Sequence, residues 1–159
     1  MDLFVVFFLK MKQIKLTQGK FAIVDDEDFG EVNQYKWFKA GRYAIAHIYK
    51  NDKRTTLYMH RLIMNTSSHL DHINNDGLDN QKANLRIATR QQNAMNQHRV
   101  SLTTGYKGVY LKKGRYYAGL GFKDKGIHLG IYKTAEEAAR AYNEGAKKYF
   151  GEFAYLNQI

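Results

Sequence analysis

Apolar and polar residues alternate along this chain over short stretches that glycine or Asn-Asp turns interrupt. Such alternation is the pattern of a half-buried strand, because successive side chains of a strand point to opposite faces. In the N-terminal part the candidate strands are 12–17, 20–26 and a hairpin over 42–63 with Asn51 and Asp52 at its turn. In the C-terminal part they are 107–114, 115–126 and 127–132. The chain is therefore predicted to build small antiparallel sheets.

Three segments have the features of helices instead. Residues 134–150 carry apolar residues at helical spacing behind a Thr-Ala-Glu-Glu start, which matches a capping box. A Thr-x-x-Gln pattern predicts another helix that begins at Arg90. The acidic segment 25–37 predicts a short helix that leads to Trp37, which we expect in the core. The expected fold class is α+β.

The overall composition limits the class of protein and of partner. An apolar fraction of 44%, with twelve Tyr and nine Phe, is enough for a packed core in 159 residues. The absence of cysteine excludes disulfides and thiolate zinc sites, and it fits a reducing cytosol. The net charge of +10 is spread along the chain, which favours a nucleic-acid partner. The alternative is a surface that is basic for solubility alone.

The strongest apolar run, Leu3–Leu9, is too short to span a bilayer, which takes about 20 residues. Asp2 precedes it and no small-residue cleavage site follows, so it does not match a signal peptide. Either the run forms a buried strand, or residues 1–11 are a non-native or disordered extension. The better pattern from Met11 onward favours Met11 as the natural start. We expect no association with a membrane.

Asp71 and His72 open a turn-rich stretch, "DHINNDGLDNQKANLR" (71–86), and a predicted helix carrying Asn93 follows it. A strand, a loop and a helix would bring Asp71 and Asn93 together from opposite sides, where their oxygen atoms would suit a hard divalent cation. His72 would accept a proton from water. A base that activates water and a metal that neutralises a phosphate suit phosphodiester hydrolysis. The alternative is an ordinary loop in which Asx side chains bond to nearby backbone.

Residues 58–93, "YMHRLIM…LDHINNDGLDNQKANLRIATRQQN", resemble the HNH endonucleases, and most closely the phage and intron-encoded homing branch. The family pattern consists of a His-Arg-Leu strand, an Asp-His-Ile pair, an Asn-Leu-Arg element and a helix that carries the last ligand. The resemblance implies a ββα-metal fold, one bound Mg²⁺ or Mn²⁺ and no small-molecule cofactor.

Matched residue by residue, the resemblance implies a role for each position. Asp71 and Asn93 would bind the metal, His72 would be the general base, and Asn84 would hold the loop and orient His72. Many family members carry His where this chain has Asn93, and the Asn form occurs in the homing branch, which often nicks one strand. The residues expected near the scissile phosphate are His60 and Arg61. The histidines expected at the surface or in turns, without a role, are His47, His69 and His98.

The C-terminal segment is predicted to be a three-stranded antiparallel sheet with a helix on one face. Alternation assigns to the helix side Val109, Leu111, Tyr117, Ile127 and Leu129. The DNA contacts expected on the open face and its turns are Tyr110, Lys112, Lys113, Arg115, Tyr116, Phe122, Lys123 and His128. Aromatic residues among lysines can lie in a DNA major groove, where the lysines add affinity for phosphate. The alternative is a sheet covered by another domain.

Residues 106–157, "YKGVY…RYYAGLGF…HLGIYKTAEEAARAYNEGAKKYFGEFAYLN", resemble the Apetala-type domain of plant ethylene-response factors. That domain is a three-stranded sheet packed on one helix, and its sheet reads the major groove. Its open-face Arg, Glu and Trp residues are mostly absent here, so the resemblance implies DNA binding but not the plant target sequence. Together the two resemblances imply a nuclease domain at 12–98 with its HNH core at 58–98, a linker at 99–105, and a DNA-binding domain at 106–157.

The sequence therefore predicts a metal-dependent, site-directed endonuclease that nicks double-stranded DNA. We expect a monomer in the cytoplasm, and in a bacterial host if the gene belongs to a phage. One alternative is a catalytically inactive, sequence-specific DNA-binding regulator derived from such a nuclease. Another is a protein that binds or cuts RNA, although the major groove of duplex RNA is too narrow for a sheet.

Overall fold

The computed structural model describes residues 11–159, so Leu3–Leu9 and the rest of the predicted extension before Met11 lie outside the described residues. The chain divides between Thr89 and Arg90 into two compact units, each with its own hydrophobic clusters. Both units combine helices with small antiparallel sheets, as the α+β class predicted. No helix within residues 11–159 is long and apolar enough to cross a membrane.

The first unit is built from three small sheets and two short helices. Its elements are β1 (Met11–Lys15), β2 (Phe21–Asp25), α1 (Asp26–Val32), β3 (Phe38–Ala40), β4 (Tyr43–Lys50), β5 (Lys53–Tyr58), α2 (Met59–Ile63), β6 (Leu70–His72) and β7 (Leu85–Ile87). β1 pairs with β2, β4 lies between β3 and β5, and β6 pairs with β7, all antiparallel. A single 3-10 turn, Lys82–Asn84, precedes β7.

The hairpin between β4 and β5 turns at Asn51 and Asp52, as predicted. Lys50 pairs with Lys53 across these two residues, which have φ angles of 51° and 59°. Two-residue hairpin turns of this twist need positive φ at both central positions, and Asn and Asp tolerate that conformation better than most residues do.

The core of the first unit forms where the sheets meet α1 and α2. Trp37 is 1% exposed, and its indole N–H donates a 2.7 Å hydrogen bond to the carbonyl oxygen of Val32, so the predicted core position of Trp37 is confirmed. α1 is shorter than the segment 25–37 proposed from sequence, because the chain leaves the helix at Asn33.

The His-Arg-Leu segment lies on α2 and not on a strand, which corrects the family-based expectation. β5 ends at Tyr58, and the next residues bury Met59 and Ile63, which are four positions apart. That spacing places both side chains on one side of a helix, whereas a strand would bury every second residue.

The second unit places one long helix against one face of a three-stranded sheet. Its elements are α3 (Arg90–Asn96), β8 (Val109–Lys112), β9 (Arg115–Phe122), β10 (Lys125–Tyr132) and α4 (Ala135–Phe150), followed by a 3-10 turn, Gly151–Phe153. α3 begins at the predicted residue. The predicted capping box of α4 is present, since Thr134 Oγ1 accepts from the Glu137 N–H while the Glu137 carboxylate accepts from the Thr134 N–H. The predicted linker, 99–105, belongs to this unit.

The register of β8 and β9 corrects part of the predicted assignment of faces. The two-residue turn at Lys113 and Gly114 pairs Lys112 with Arg115, and therefore pairs Tyr110 with Tyr117. Tyr117 thus lies on the open face, where its ring stacks on that of Tyr110 at 5.2 Å between centroids. The prediction that Tyr117 faces the helix was wrong.

Tyr116 and Phe122 lie on the helix side, so their predicted place on the open face was wrong. Tyr116 packs against a cluster that contains Ala138 of α4, and the Phe122 ring lies 5.5 Å from the Tyr149 ring. Both alternating sets of "RYYAGLGF" contain aromatic residues, so alternation alone does not choose the buried set. A shift of one residue then exchanges the two faces. The residues that pack toward α4 as predicted are Val109, Ile127 and Leu129; Leu111, at the end of β8, is 46% exposed.

Candidate functional site

Asp71 and His72 end strand β6 as buried polar residues, 3% and 5% exposed. The antiparallel register places Arg86 of β7 opposite Asp71. The Arg86 guanidinium donates from Nε and Nη2 to Asp71 Oδ2, at 3.0 and 2.8 Å, and the Arg86 side chain is itself only 13% exposed. The carboxylate is thus fixed in position by a buried ion pair. The sequence showed Arg86 only as part of the Asn-Leu-Arg element, because its pairing with Asp71 depends on the register.

The His72 imidazole lies in a cluster of rings. The centroid of the His60 ring is 5.2 Å away, nearly perpendicular to it, and that of the Tyr43 ring is 5.7 Å away. The Tyr43 ring also contacts His60, at 5.1 Å. His60, which we expected near the scissile phosphate, thus lies beside His72, while Tyr43 was not anticipated.

Burial sets the protonation of both imidazoles. Desolvation lowers the pKa of His72 below its ordinary value, although the hydrogen bond to Asn80 and the Asp71 carboxylate oppose this shift. Desolvation, together with the electrostatic effect of His72 and of the charged Arg61, lowers the pKa of His60 to about 3. Both rings are consequently neutral near pH 7, and a neutral imidazole keeps a lone pair that can accept a proton.

Asn80 is a further member of this site that the sequence did not reveal. It is fully buried, and its Oδ1 lies 3.4 Å from His72 Nε2. Its backbone N–H donates to the carbonyl oxygen of Ile23 on β2 at 2.8 Å, which ties the loop to the core sheet. The loop contains several asparagines, and the sequence does not distinguish the one that is buried against His72.

The side chain of Asn84 holds the loop between β6 and β7. Its Oδ1 accepts from the Asn74 N–H at 3.0 Å, and its Nδ2 donates to Asn74 Oδ1 at 3.0 Å and to the Asp79 carbonyl oxygen at 2.8 Å. The backbone oxygen of Asn84 also accepts from the N–H of Ile73, the residue after His72, at 2.9 Å. These contacts attach the loop to the end of β6.

Gly77 brings the same loop into direct contact with the start of β4. A Cβ on Gly77 would lie 2.3 Å from the carbonyl oxygen of Arg42 and 3.0 Å from the Tyr43 ring. The Arg42 guanidinium in turn donates to the carbonyl oxygen of Asn75 at 2.7 Å. Only glycine permits this approach, so Asp76-Gly77 is more than the simple turn that its sequence suggests.

The remaining predicted residues of this site lie on two helices. Arg61 lies on α2, with its guanidinium over the Tyr58 ring at 5.3 Å. Asn93 lies half-buried on α3, which belongs to the second unit. His47, His69 and His98 are exposed, as predicted.

The donor atoms suit a hard cation more than a soft one. Within residues 11–159 no group of three or more His, Cys, Asp or Glu side chains is arranged to hold a metal. Asp71 offers a buried carboxylate, an oxygen donor of the kind that an ion such as Mg²⁺ binds while it keeps most of its water. In the first unit, the residues present therefore fit an oxygen-bound divalent cation.

The open face of the second unit's sheet gathers aromatic and basic side chains. The registers of β8, β9 and β10 place there Tyr110, Lys112, Arg115, Tyr117, His128 and Ile131. Lys113 and Lys123 occupy the two-residue turns at the ends of β9, with φ angles of 48° and 49°. Of the eight predicted DNA contacts in this unit, six thus remain on the open face or its turns.

Comparison with known proteins identifies the family of this chain. No family model matches it. Among curated proteins, it is 32% identical over 151 residues to an "Uncharacterized HNH endonuclease" of Acanthamoeba polyphaga mimivirus, an alignment that covers 89% of this chain and 77% of the relative. This similarity extends over both units. The chain belongs to the HNH endonucleases.

Proposed function

We propose that this protein is a metal-dependent, homing-type endonuclease that nicks double-stranded DNA, with His72 as the general base. The observation that carries the proposal is a buried, neutral imidazole beside a buried carboxylate, at the end of strand β6, where side-chain hydrogen bonds hold the following loop in place. A base of this kind is needed to activate water for attack on a phosphodiester.

In the proposed reaction His72 accepts a proton from the attacking water. The water oxygen bonds to phosphorus as the bond from phosphorus to the 3′ oxygen breaks. Asn80 orients the His72 ring through its contact with Nε2, and Arg86 fixes Asp71. When bound by Asp71 and Asn93, a divalent cation such as Mg²⁺ or Mn²⁺ would neutralise charge on the phosphate and on the leaving oxygen.

The second unit is proposed to hold the DNA through its open face. Lys112 and Arg115 would contact phosphates, and Tyr110 and His128 would contact bases or sugars. The net charge of +10 supports a polyanionic partner. We propose an Apetala-type DNA-binding module for this unit, since its sheet-on-helix arrangement is the one that the resemblance implies.

A supercoiled-plasmid assay tests the proposal. The full-length protein is incubated with plasmids that carry DNA from the neighbourhood of its own gene, with Mg²⁺, with Mn²⁺ or with EDTA. Metal-dependent conversion to open circles is the expected result, whereas linear product would show that both strands are cut. DNA binding without any conversion would contradict the proposal and support the inactive regulator.

A further inference from the structure

A shallow cleft of about 500 Å³ lies on the open face of the second unit's sheet. Its floor is the backbone of β9 and β10 at Gly119, Gly121 and Gly126, and its sides include Tyr110 and His128. Gly121 pairs with Gly126 and Gly119 with His128, so the glycines form one continuous patch without side chains.

The fold itself does not require glycine at two of these positions. Gly121 and Gly126 have no atom within 4 Å of the place where a Cβ would lie, and neither has a positive φ. Glycine inside a strand costs stability, because it loses more conformational freedom on folding and packs no side chain. A glycine in a strand commonly marks a bulge, a tight bend or a close approach of another molecule to the backbone. The pairing of Gly121 with Gly126 is regular, with the bulge only after His128, so close approach of another molecule is the explanation that remains.

The sides of the cleft suit a flat ligand. The Tyr110 ring is 49% exposed and stacks on the Tyr117 ring with only 14° between their planes, which fixes its orientation. The His128 ring lies 6.2 Å from that of Tyr117. A nucleobase offers a flat face to a protein ring when it is extruded from the stack or lies at its end, and it then stacks well on such rings.

The charges around the cleft suit the phosphates of a nucleic-acid strand. Lys112 and Arg115 pair beside Tyr110 and Tyr117, and Lys123 and Lys125 lie at the other end of β9. Among the strand residues of this face, which the structure describes in full, none is Asp, Glu, Asn or Gln. The amide side chains that usually read adenine edges in a major groove are therefore missing, which favours stacking over edge reading.

We propose that this cleft binds an unpaired nucleobase of a DNA strand, stacked beside Tyr110 over the glycine floor. The inference rests on the proposed function only in taking DNA as the ligand. Binding of an unpaired base would give the second unit a preference for DNA that is locally opened, as at a nick, a gap or an extruded base.

Binding of full-length protein to two labelled DNAs tests this inference. One is a fully paired duplex, and the other is the same duplex with a short single-stranded gap; fluorescence anisotropy is measured in EDTA so that neither DNA is cut. The wild type is expected to bind the gapped DNA about tenfold more tightly, which is the change in affinity that stacking of one base provides. Equal affinities would overturn the proposal.

The variant Gly121→Val fills the cleft without removing any contact of the fold. It is expected to bind both DNAs with equal affinity, and to unfold at the wild-type temperature or above. Gly30→Val is the matched control, because a Cβ at Gly30 of α1 also enters open space, in the first unit. It should keep the preference for gapped DNA. A Gly121→Val protein that keeps the preference would contradict the inference.

These outcomes are separate from those of the plasmid assay, since binding in EDTA needs no cleavage. A protein that cuts plasmid but binds both DNAs equally would agree with the proposed function and contradict the proposed binding of a base in the cleft. A protein that prefers gapped DNA but never cuts would agree with the proposed binding of a base and contradict the proposed nuclease function.

Discussion

Asp71 and Arg86 show what single residues contribute to this site, because each charge is buried beside the other. A buried charge that loses its partner is costly, whereas an exposed ion pair contributes little. The exposed pair Lys147–Glu144 on α4 gives a direct comparison within the same chain, with side chains 55% and 74% exposed.

We expect Arg86→Ala to lower the free energy of unfolding by about 3 kcal/mol, because the Asp71 carboxylate stays buried without the guanidinium. Lys147→Ala should change the free energy of unfolding by less than about 0.5 kcal/mol. Urea unfolding of both variants measures the difference. Equal effects of the two substitutions would show that the Asp71–Arg86 pair has no special part in the fold.

Lys107 is a second residue whose burial has a measurable consequence. Its ammonium group donates to the carbonyl oxygens of Met95 and Gln97 near the end of α3, and burial with the charge of Arg99 lowers its pKa to about 8. In the unfolded chain this pKa returns to its ordinary value of about 10.5. The unfolded state therefore holds this proton more tightly than the folded state does.

Stability should accordingly rise with pH between about pH 8 and about pH 10.5 through this residue. The measurement is the urea midpoint of wild type and of Lys107→Met at pH about 7.5 and about 9.5. Only the wild type has this titrating group, so only its stability should rise through it. The urea midpoint of the wild type should therefore increase relative to that of Lys107→Met at the higher pH. A difference that does not change with pH would contradict the assigned shift.

The loop between β6 and β7 is the structural element that positions His72. The Asn84 side chain holds this loop by hydrogen bonds, and Gly77 lets the loop pack closely against Arg42 and Tyr43. The sequence identified Asn84, because its spacing from His72 belongs to the family pattern. It did not identify Asn80, Gly77 or Tyr43, because those contacts arise only when the loop packs on β2 and β4.

Gly77→Ala tests whether that packing matters. The added methyl group would overlap the Arg42 carbonyl oxygen, so we expect the loop to shift and the unfolding free energy to fall by about 1–3 kcal/mol. Gly30→Ala adds the same methyl group in open space on α1 and should be neutral or slightly stabilising. Thermal unfolding compares them, and the account of this loop fails if Gly77→Ala is as stable as Gly30→Ala.

On the scale of the whole molecule, the sequence predicted the α+β class, the hairpin of β4 and β5, the start of α3 and the capping box of α4, and it singled out the Asp71-His72 pair. Those predictions depend on local patterns: alternation, capping boxes and a motif with fixed spacing. It failed where the answer depends on the partner strand or on packing, as for the faces of Tyr116, Tyr117 and Phe122 and for the helix that carries His60. The similarity to the HNH endonuclease of mimivirus covers both units, so both units belong to the family match.

The proposed DNA-binding face should account for part of the salt dependence of binding. Each phosphate contact that is lost should reduce the slope of log K against log salt by about 0.9. The double variant Lys112→Gln and Arg115→Gln should therefore reduce the slope by nearly two such steps. The control is Lys147→Gln with Lys148→Gln on α4, the helix that covers the opposite face. Equal slopes for the two double variants would exclude the open face as the phosphate-binding surface.

A comparison of three proteins tests whether His72 is the general base. Open-circle formation from supercoiled plasmid is timed with Mg²⁺ for wild type, for His72→Ala and for His47→Ala, an exposed histidine of the same unit. We predict that His72→Ala cuts about 10²- to 10⁴-fold more slowly, while it binds DNA as the wild type does and stays folded. His47→Ala should cut at the wild-type rate. Cleavage by folded His72→Ala at the wild-type rate would contradict the account.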